Sequence, residues 1–182
     1  VVLAGPSGVG KGAIVSRLLA ARPDLRLSVS ATTRGARPGE VDGRDYYFVD
    51  PDSFDKLIDS GGLLEWAEIF GNRYGTPREP VERALEQGHS VITEVDVQGA
   101  RQIRAVRPDA FLLFIKPPGL EELERRLRSR GTETDEQVSR RLAKASEELA
   151  AEPEFDATVV NDRLDHAAAE VIGLIDRLTR VP

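Results

Sequence analysis

Lys11 and the glycines before it carry the clearest chemistry, in "GPSGVGKGA" at residues 5–13. The run fits the phosphate-cradling pattern G-x-x-x-x-G-K-[ST] from Gly5 to Lys11. Glycine lets backbone N–H groups crowd around a polyphosphate, the following helix N-terminus adds partial positive charge, and lysine neutralises the β and γ phosphates. Gly5, Pro6, Ser7, Gly8, Val9, Gly10, Lys11 and Gly12 are therefore candidates to hold nucleotide phosphates. Position 12, where a hydroxyl for a magnesium ion is normally expected, is glycine, and Ala13 supplies no hydroxyl either.

Three further groups of residues have chemical potential. Arg34 and Arg37 share a loop after "SVSATT", with Tyr46 shortly behind. Arginine forks and a tyrosine hydroxyl suit a monophosphate, although two loop arginines alone read equally as solvated surface. Glu94 and Asp96 lie two apart at the end of an expected strand, so both should point to one side. Carboxylates there either face a nucleotide crevice and hold a metal or its waters, or cap the strand end. Arg126 and Arg130 are four apart on one helix, and Arg141 follows a polar tip. Such cations can close over transferring phosphates, but "EELERRLRSR" also reads as a solvated face laced with ion pairs. Trp66 reads as packing, and His89 and His166 are too far apart in sequence to propose a metal pair or a catalytic dyad.

The elements that must position these groups follow from hydrophobic patterning. "VVLA" (1–4) reads as a buried strand that begins abruptly, as if residues were missing upstream, and Ile14, Val15, Leu18 and Leu19 give one helical face ending near Arg22 and Pro23. Strands are expected at 26–30, 46–49, 63–70, 90–96, 110–116 and 157–161. Helices are expected at 52–60, 77–88, 97–106, 120–129 and 163–180. Gly131 breaks a helical hairpin whose second arm restarts with Thr134 and Gln137 spaced as a capping box. The alternation predicts an α/β fold with a mostly parallel sheet covered on both faces, and short strands between 46 and 76 suggest a small mixed insertion.

Bulk properties bound the function. The chain has 182 residues, enough for one domain that buries roughly 70% of its unfolded surface. With 31 acidic and 25 basic residues its net charge is -6, which argues against general affinity for nucleic acid or an anionic membrane. Any anionic ligand must then meet a local cluster of Arg and Lys. Cysteine is absent, which removes disulfides, thiol nucleophiles and thiolate metal sites. No apolar run approaches the ~20 residues of a membrane span, and no signal-like segment precedes the first motif, so a cytoplasmic protein is expected.

Read in order, "GPSGVGK", "SVSATTR", "RPGEVDGRDYYF", "LLEWAEIFGNRYGTP", "EVDVQGARQI", "RLRSRGTE" and "VVND" resemble the guanylate kinase (GMP kinase) family over essentially the whole chain. The resemblance implies a P-loop core at 1–31 and 77–182, with a helical lid at about 122–150 and a GMP-binding region at 32–76. It implies that the phosphate loop holds ATP, with Asn161 near its adenine. It further implies that Arg34, Arg37, Tyr46 and Tyr74 bind the GMP phosphate and that Ser30, Glu65 and Thr76 read guanine. Glu94 and Asp96 match the pair that contacts GMP and organises Mg2+, with Asp96 reaching the metal through water. Lys11, Arg34, Arg126, Arg130 and Arg141 match the residues that stabilise phosphoryl transfer. The chemistry of guanine supports Glu65: adjacent N1–H and N2–H donors fit one carboxylate, whereas adenine presents an acceptor at N1.

The implied activity is ATP-dependent phosphorylation of GMP, and of dGMP, with Mg2+, by a monomer or homodimer in purine metabolism. A non-catalytic interaction module of the same family should lose the loop lysine or the lid arginines first, and both are retained. A kinase with another acceptor is disfavoured by Glu65 and Thr76. The departure is "KGA", where the family usually reads "KST" or similar; an extra water is the expected replacement for the missing hydroxyl.

Overall fold

The computed structural model describes residues 1–69, 71–129 and 134–179. The elements run β1 (Val2–Ala4), α1 (Lys11–Ala21), β2 (Leu25–Leu27), β3 (Ala31–Thr32), β4 (Tyr47–Phe48), α2 (Pro51–Asp59), β5 (Leu63–Ile69), β6 (Asn72–Pro77), α3 (Arg78–Glu86) and β7 (Ser90–Glu94). Then follow α4 (Val97–Val106), β8 (Leu112–Lys116), α5 (Leu120–Ser129), α6 (Asp135–Leu149), a short 3-10 turn (Glu152–Glu154), β9 (Ala157–Val160) and α7 (Leu164–Thr179).

Five strands form a parallel sheet in the order β2-β7-β1-β8-β9. Its central strands are apolar on both sides because helices cover both faces. Alternation along each strand divides the side chains between two cores. Leu3, Ile92, Leu113 and Ile115 face α1 and α7 with Ile14, Leu18 and Val171. Val2, Ala4, Val91 and Leu112 face α3 and α4 with Val81, Ala100 and Ile103. The α/β architecture expected from the alternating pattern is therefore present.

A second sheet has the order β4-β3-β6-β5, with β3 and β4 parallel and β6 antiparallel to both β3 and β5. Phe54 of α2 is fully buried beneath it beside Ala31 and Leu63. Proline at the first helical turn and an Asp50 side chain that accepts from the Ser53 N–H fix the start of α2.

Three differences from the sequence-based expectations concern how the sheets join. The strand expected at 26–30 stops at Leu27, and Ser28–Ser30 cross from the first sheet to the second. Residues 72–77 form β6, which sequence reading left unassigned, because its order comes from backbone pairing with β5 rather than from its own apolar pattern. Strand β7 ends at Glu94, so Asp96 is not on it; Asp96 caps α4 by accepting from the Gly99 N–H at 2.9 Å. The capping box of α6 is present, with Thr134 and Gln137 exchanging hydrogen bonds. Leu123 and Leu127 of α5 pack against Val138 and Ala145 of α6. Among the described residues no helix is long and apolar enough to cross a membrane.

Candidate active site

The loop between β1 and α1 is shaped by its neighbours. Gly5 has φ 145°, and a Cβ there would stand 2.1 Å from the Ile115 carbonyl oxygen, so β8 admits only glycine. Gly10 is left-handed at the N-cap of α1, and a Cβ on it would meet the Asn161 amide at 2.7 Å. That amide donates to the Val9 carbonyl at 2.8 Å, and Val9 itself is fully buried in the core. Asn161, buried at the end of β9, thus clamps the loop from beneath.

Lys11 reaches back along the loop, donating from Nζ to the carbonyls of Gly5 at 2.7 Å and Pro6 at 3.3 Å. Burial pushes its pKa below the ordinary lysine value, while Glu94, Glu148 and Asp96 pull it up and Lys144 opposes them. Glu94 ends β7 opposite this loop; loss of hydration raises its carboxyl pKa and Lys11 lowers it. A Cβ on Gly12 would lie 3.5 Å from Glu94 Oε2, an ordinary contact. Gly12→Ser is therefore sterically admitted and sets a hydroxyl beside a carboxylate. It is expected to leave GMP affinity within about twofold and to change the magnesium concentration for half-maximal activity; titrating magnesium at saturating GMP checks this.

Across the crevice, the second sheet gathers the acceptor candidates. Arg34 lies over the Tyr46 ring at 5.3 Å, and Tyr46 meets Tyr74 edge-on at 6.1 Å. Burial raises the Tyr46 pKa, so its hydroxyl stays a donor at neutral pH. Arg34 pairs with Glu40 through both terminal nitrogens, at 2.9 and 3.0 Å. Ser30 accepts from the Tyr47 N–H through its carbonyl and lines the same wall.

Deeper in that wall, Glu65 and Thr76 are directly opposed on β5 and β6, after a register shift between Leu63 and Glu65. Thr76 is fully buried and donates to Glu65 Oε1 at 2.6 Å. Glu65 is 7% exposed, and its pKa is raised to about 7 by burial, with the nearby Asp96 adding to the shift and Thr76 opposing it. Helix α4 approaches so closely that a Cβ on Gly99 would sit 2.9 Å from Glu65 Oε2. Gly99→Ala is therefore expected to displace the carboxylate and raise the Michaelis constant for GMP about 10- to 100-fold, while that for ATP stays unchanged. Steady-state kinetics varying each substrate checks it.

These walls enclose a crevice of ≈ 580 Å3 at the carboxyl ends of the strands. Of the sequence-based candidates it brings together Gly5, Ser7, Lys11, Ser30, Arg34, Arg37, Tyr46, Glu65, Tyr74, Glu94, Asp96 and Arg141. Arg141 of α6 already reaches the loop, donating to the Ser7 hydroxyl at 3.4 Å. Arg126 of α5 is held behind the loop, donating to the carbonyls of Val9 at 3.3 Å and Asn161 at 2.8 Å and to Glu122 at 2.7 Å. Arg130 lies outside the described residues.

Three crevice residues were missed by sequence reading. Lys144 stands 3.6 Å from both Asp96 and Glu148, and Glu148 is a largely buried carboxylate with a raised pKa. Both follow Arg141 at helical spacing on α6, a signal present in "RLAKASEEL" but not followed beyond the arginine. Glu40 closes a turn three residues after Arg37, donating from its N–H to the Arg37 carbonyl. Among the described residues no cluster of three or more Asp, Glu, His or Cys side chains forms a metal cage. Glu94 and Asp96 both line the crevice, with Asp96 already paired to the Gly99 N–H and Lys144; a donor set of two carboxylates suits only a cation that keeps most of its waters and takes phosphate oxygens.

A parallel sheet whose first strand feeds a glycine loop and helix, with a cation-lined crevice at its carboxyl edge, defines a P-loop α/β protein. The family model described as guanylate kinase matches residues 1–178. Guanylate kinase from Thermobifida fusca (strain YX) is 57% identical over 96% of this chain and 89% of its own length. That from Prochlorococcus marinus (strain MIT 9313) is 53% identical over 96% and 92%. The crystal structure of guanylate kinase from Anaplasma phagocytophilum superimposes with a TM-score of 0.79 at 34% identity, covering 99% of this chain and 85% of that one. The chain belongs to the guanylate kinase family.

Proposed function

We propose that this chain transfers the γ-phosphoryl group of ATP to GMP, and also to dGMP, which presents the same base and phosphate. The carrying observation is the buried Glu65–Thr76 pair on the wall that also bears Arg34, Tyr46 and Tyr74, with Lys11 across the crevice. An ionised Glu65 accepts from guanine N1–H and N2–H together. Adenine offers an acceptor at N1 and leaves the carboxylate unmatched, a mismatch worth about 10⁴-fold in discrimination.

The reaction needs little covalent work from the protein. A GMP phosphate oxygen attacks the γ-phosphorus in line, the bond from that phosphorus to the β–γ bridging oxygen breaks, and ADP leaves. Arg34, Arg37 and the tyrosines hold the attacking phosphate, so approach and alignment are set before reaction. Lys11 and the loop N–H groups hold the donor phosphates. Arg141 of α6 already reaches the loop and supplies charge to the transferring oxygens; Arg126 and Arg130 match further cations for that role, Arg126 once it leaves the Val9 and Asn161 carbonyls that hold it behind the loop. Magnesium brought with ATP neutralises phosphate oxygens when bound, and Asp96, with Glu94 beside it, would hold it through water. No general base is required.

ADP release from Mg-ATP, measured separately with GMP, dGMP, AMP, CMP and UMP, tests the reading. Turnover with the two guanine nucleotides and at most traces with the others is expected. Rapid turnover with AMP and none with GMP would sink it.

A further inference from the structure

We propose that Glu40 is a positioning residue for the acceptor phosphate, bracing one edge of Arg34 and the backbone of Arg37 with a single carboxylate so that Arg34 offers its other edge to the substrate. This rests on the reading of Arg34 and Arg37 as the GMP phosphate site.

The geometry divides the guanidinium in two. Nη1 donates to Glu40 Oε2 at 3.0 Å and to the Gly35 carbonyl at 2.7 Å, and Nη2 donates to Glu40 Oε1 at 2.9 Å. Arginine has five N–H donors in a fixed plane. The two outside these contacts are the Nε–H and the second Nη2–H, which share the opposite edge and form a bidentate fork matched to a phosphate. That plane is fixed from its face by Tyr46 at 5.3 Å and Phe48 at 5.8 Å. Tyr74, another crevice residue, is a side-chain hydrogen-bond partner of Arg34, and with three donors already engaged its hydroxyl shares this remaining edge with the incoming phosphate.

The same carboxylate organises the second arginine. Glu40 Oε2 accepts from the Arg37 N–H at 2.7 Å, and the Glu40 N–H donates back to the Arg37 carbonyl at 3.0 Å. The loop between β3 and β4 therefore folds around Glu40, with Arg34 and Arg37 fixed relative to each other by one side chain. Only 14% of the Arg34 side chain and 21% of the Glu40 side chain are exposed, so the pair lies against the loop instead of extending into solvent. Arg34 and the Arg37 N–H hold the Glu40 carboxyl below the ordinary carboxylate range, which keeps it ionised through neutral pH.

A carboxylate on a phosphate-binding arginine invites the opposite reading, in which Glu40 occupies the phosphate's own place and must be expelled. The edge assignment separates the two readings. A brace remains when GMP binds, and removing its charge weakens phosphate binding. A placeholder competes with GMP, and removing its charge strengthens binding.

The test compares Glu40→Gln, Glu40→Asp and the wild type for binding of GMP and of guanosine, with kcat and both Michaelis constants measured alongside. For Glu40→Gln we expect GMP affinity to fall about tenfold, the scale of a charge-assisted hydrogen bond, with guanosine affinity and the ATP Michaelis constant unchanged. Glu40→Asp should recover part of the loss, and melting temperatures show whether each variant is folded. Tighter GMP binding by Glu40→Gln overturns the proposal in favour of the placeholder. Equal loss for GMP and guanosine overturns it in favour of a general structural role. A wild type that binds GMP no more tightly than guanosine overturns the underlying phosphate site itself.

Discussion

Glu65→Gln is expected to lower kcat/KM for GMP about 10⁴-fold and, at pH 8, to raise the stability of the substrate-free protein. The first effect follows from donor and acceptor matching: Thr76 occupies Oε1, so the substituted amide turns N–H groups toward guanine N1–H and N2–H. The second follows from linkage. The folded pKa of Glu65 is about 7 against an ordinary 4.5, because burial disfavours the charge. Below pH 4.5 the group is protonated in both folded and unfolded protein and costs nothing. From there to pH 7 the unfolded chain ionises first, and the penalty grows to about 3 kcal/mol and then stays constant. Glutamine removes that penalty, so the variant should melt higher than the wild type at pH 8 and nearly together with it at pH 4.5. The sign carries over to catalysis: guanine needs the ionised carboxylate, so protonation of Glu65 in the substrate-free protein should raise the wild-type Michaelis constant for GMP as pH falls below about 7. Melts at both pH values and GMP kinetics from pH 5.5 to 8.5 check each part; a variant less stable than wild type at pH 8 contradicts the account.

Lys11→Met is expected to reduce kcat about 10³-fold while leaving GMP binding and the fold intact. Methionine preserves the length and apolar stem but leaves the donor phosphates without their point charge. The carbonyls of Gly5 and Pro6 lose a donor, yet Gly5 is locked by Ile115 and Val9 by the core and Asn161, so the loop does not depend on the lysine for its path. Single-turnover transfer at saturating ATP, with GMP binding measured separately, isolates the effect. Loss of GMP binding in step with kcat would show that Lys11 supports the acceptor side instead. Arginine should not rescue the variant, because its planar fork does not reproduce a compact charge held by the Gly5 and Pro6 carbonyls.

Legibility followed the source of order in each element. The strands of the parallel sheet announce themselves as apolar runs because both faces are covered, and the phosphate loop is legible because its glycines answer to steric demands from Ile115 and Asn161. Strand β3, two residues long, carries no periodicity to read, whereas β4 falls inside the strand expected at 46–49, and β6 is made by its partners. "SVITEVD" reads as strand up to Asp96 because it remains apolar and alternating that far. The aspartate three residues before Gly99 is a helix start, and that competing signal won. Glu40 and Lys144 are harder to read for another reason: their neighbours Arg34 and Asp96 give them meaning, and those pairings come from a turn and from α6 meeting the start of α4.

The chain crosses between the two sheets at Ser28–Ser30 and again where β6 runs into α3 at Pro77. Gln102 of α4 adds a non-covalent tie, accepting from the Trp66 N–H at 3.0 Å and donating to its carbonyl at 2.9 Å. Under the proposed roles the donor loop hangs from one sheet and the acceptor wall from the other. The separation of the two reacting groups then belongs to the joint and to neither binding site. Such an enzyme can bind each substrate as tightly as its pockets allow and still turn over at a pace set by the few residues that join the two sheets.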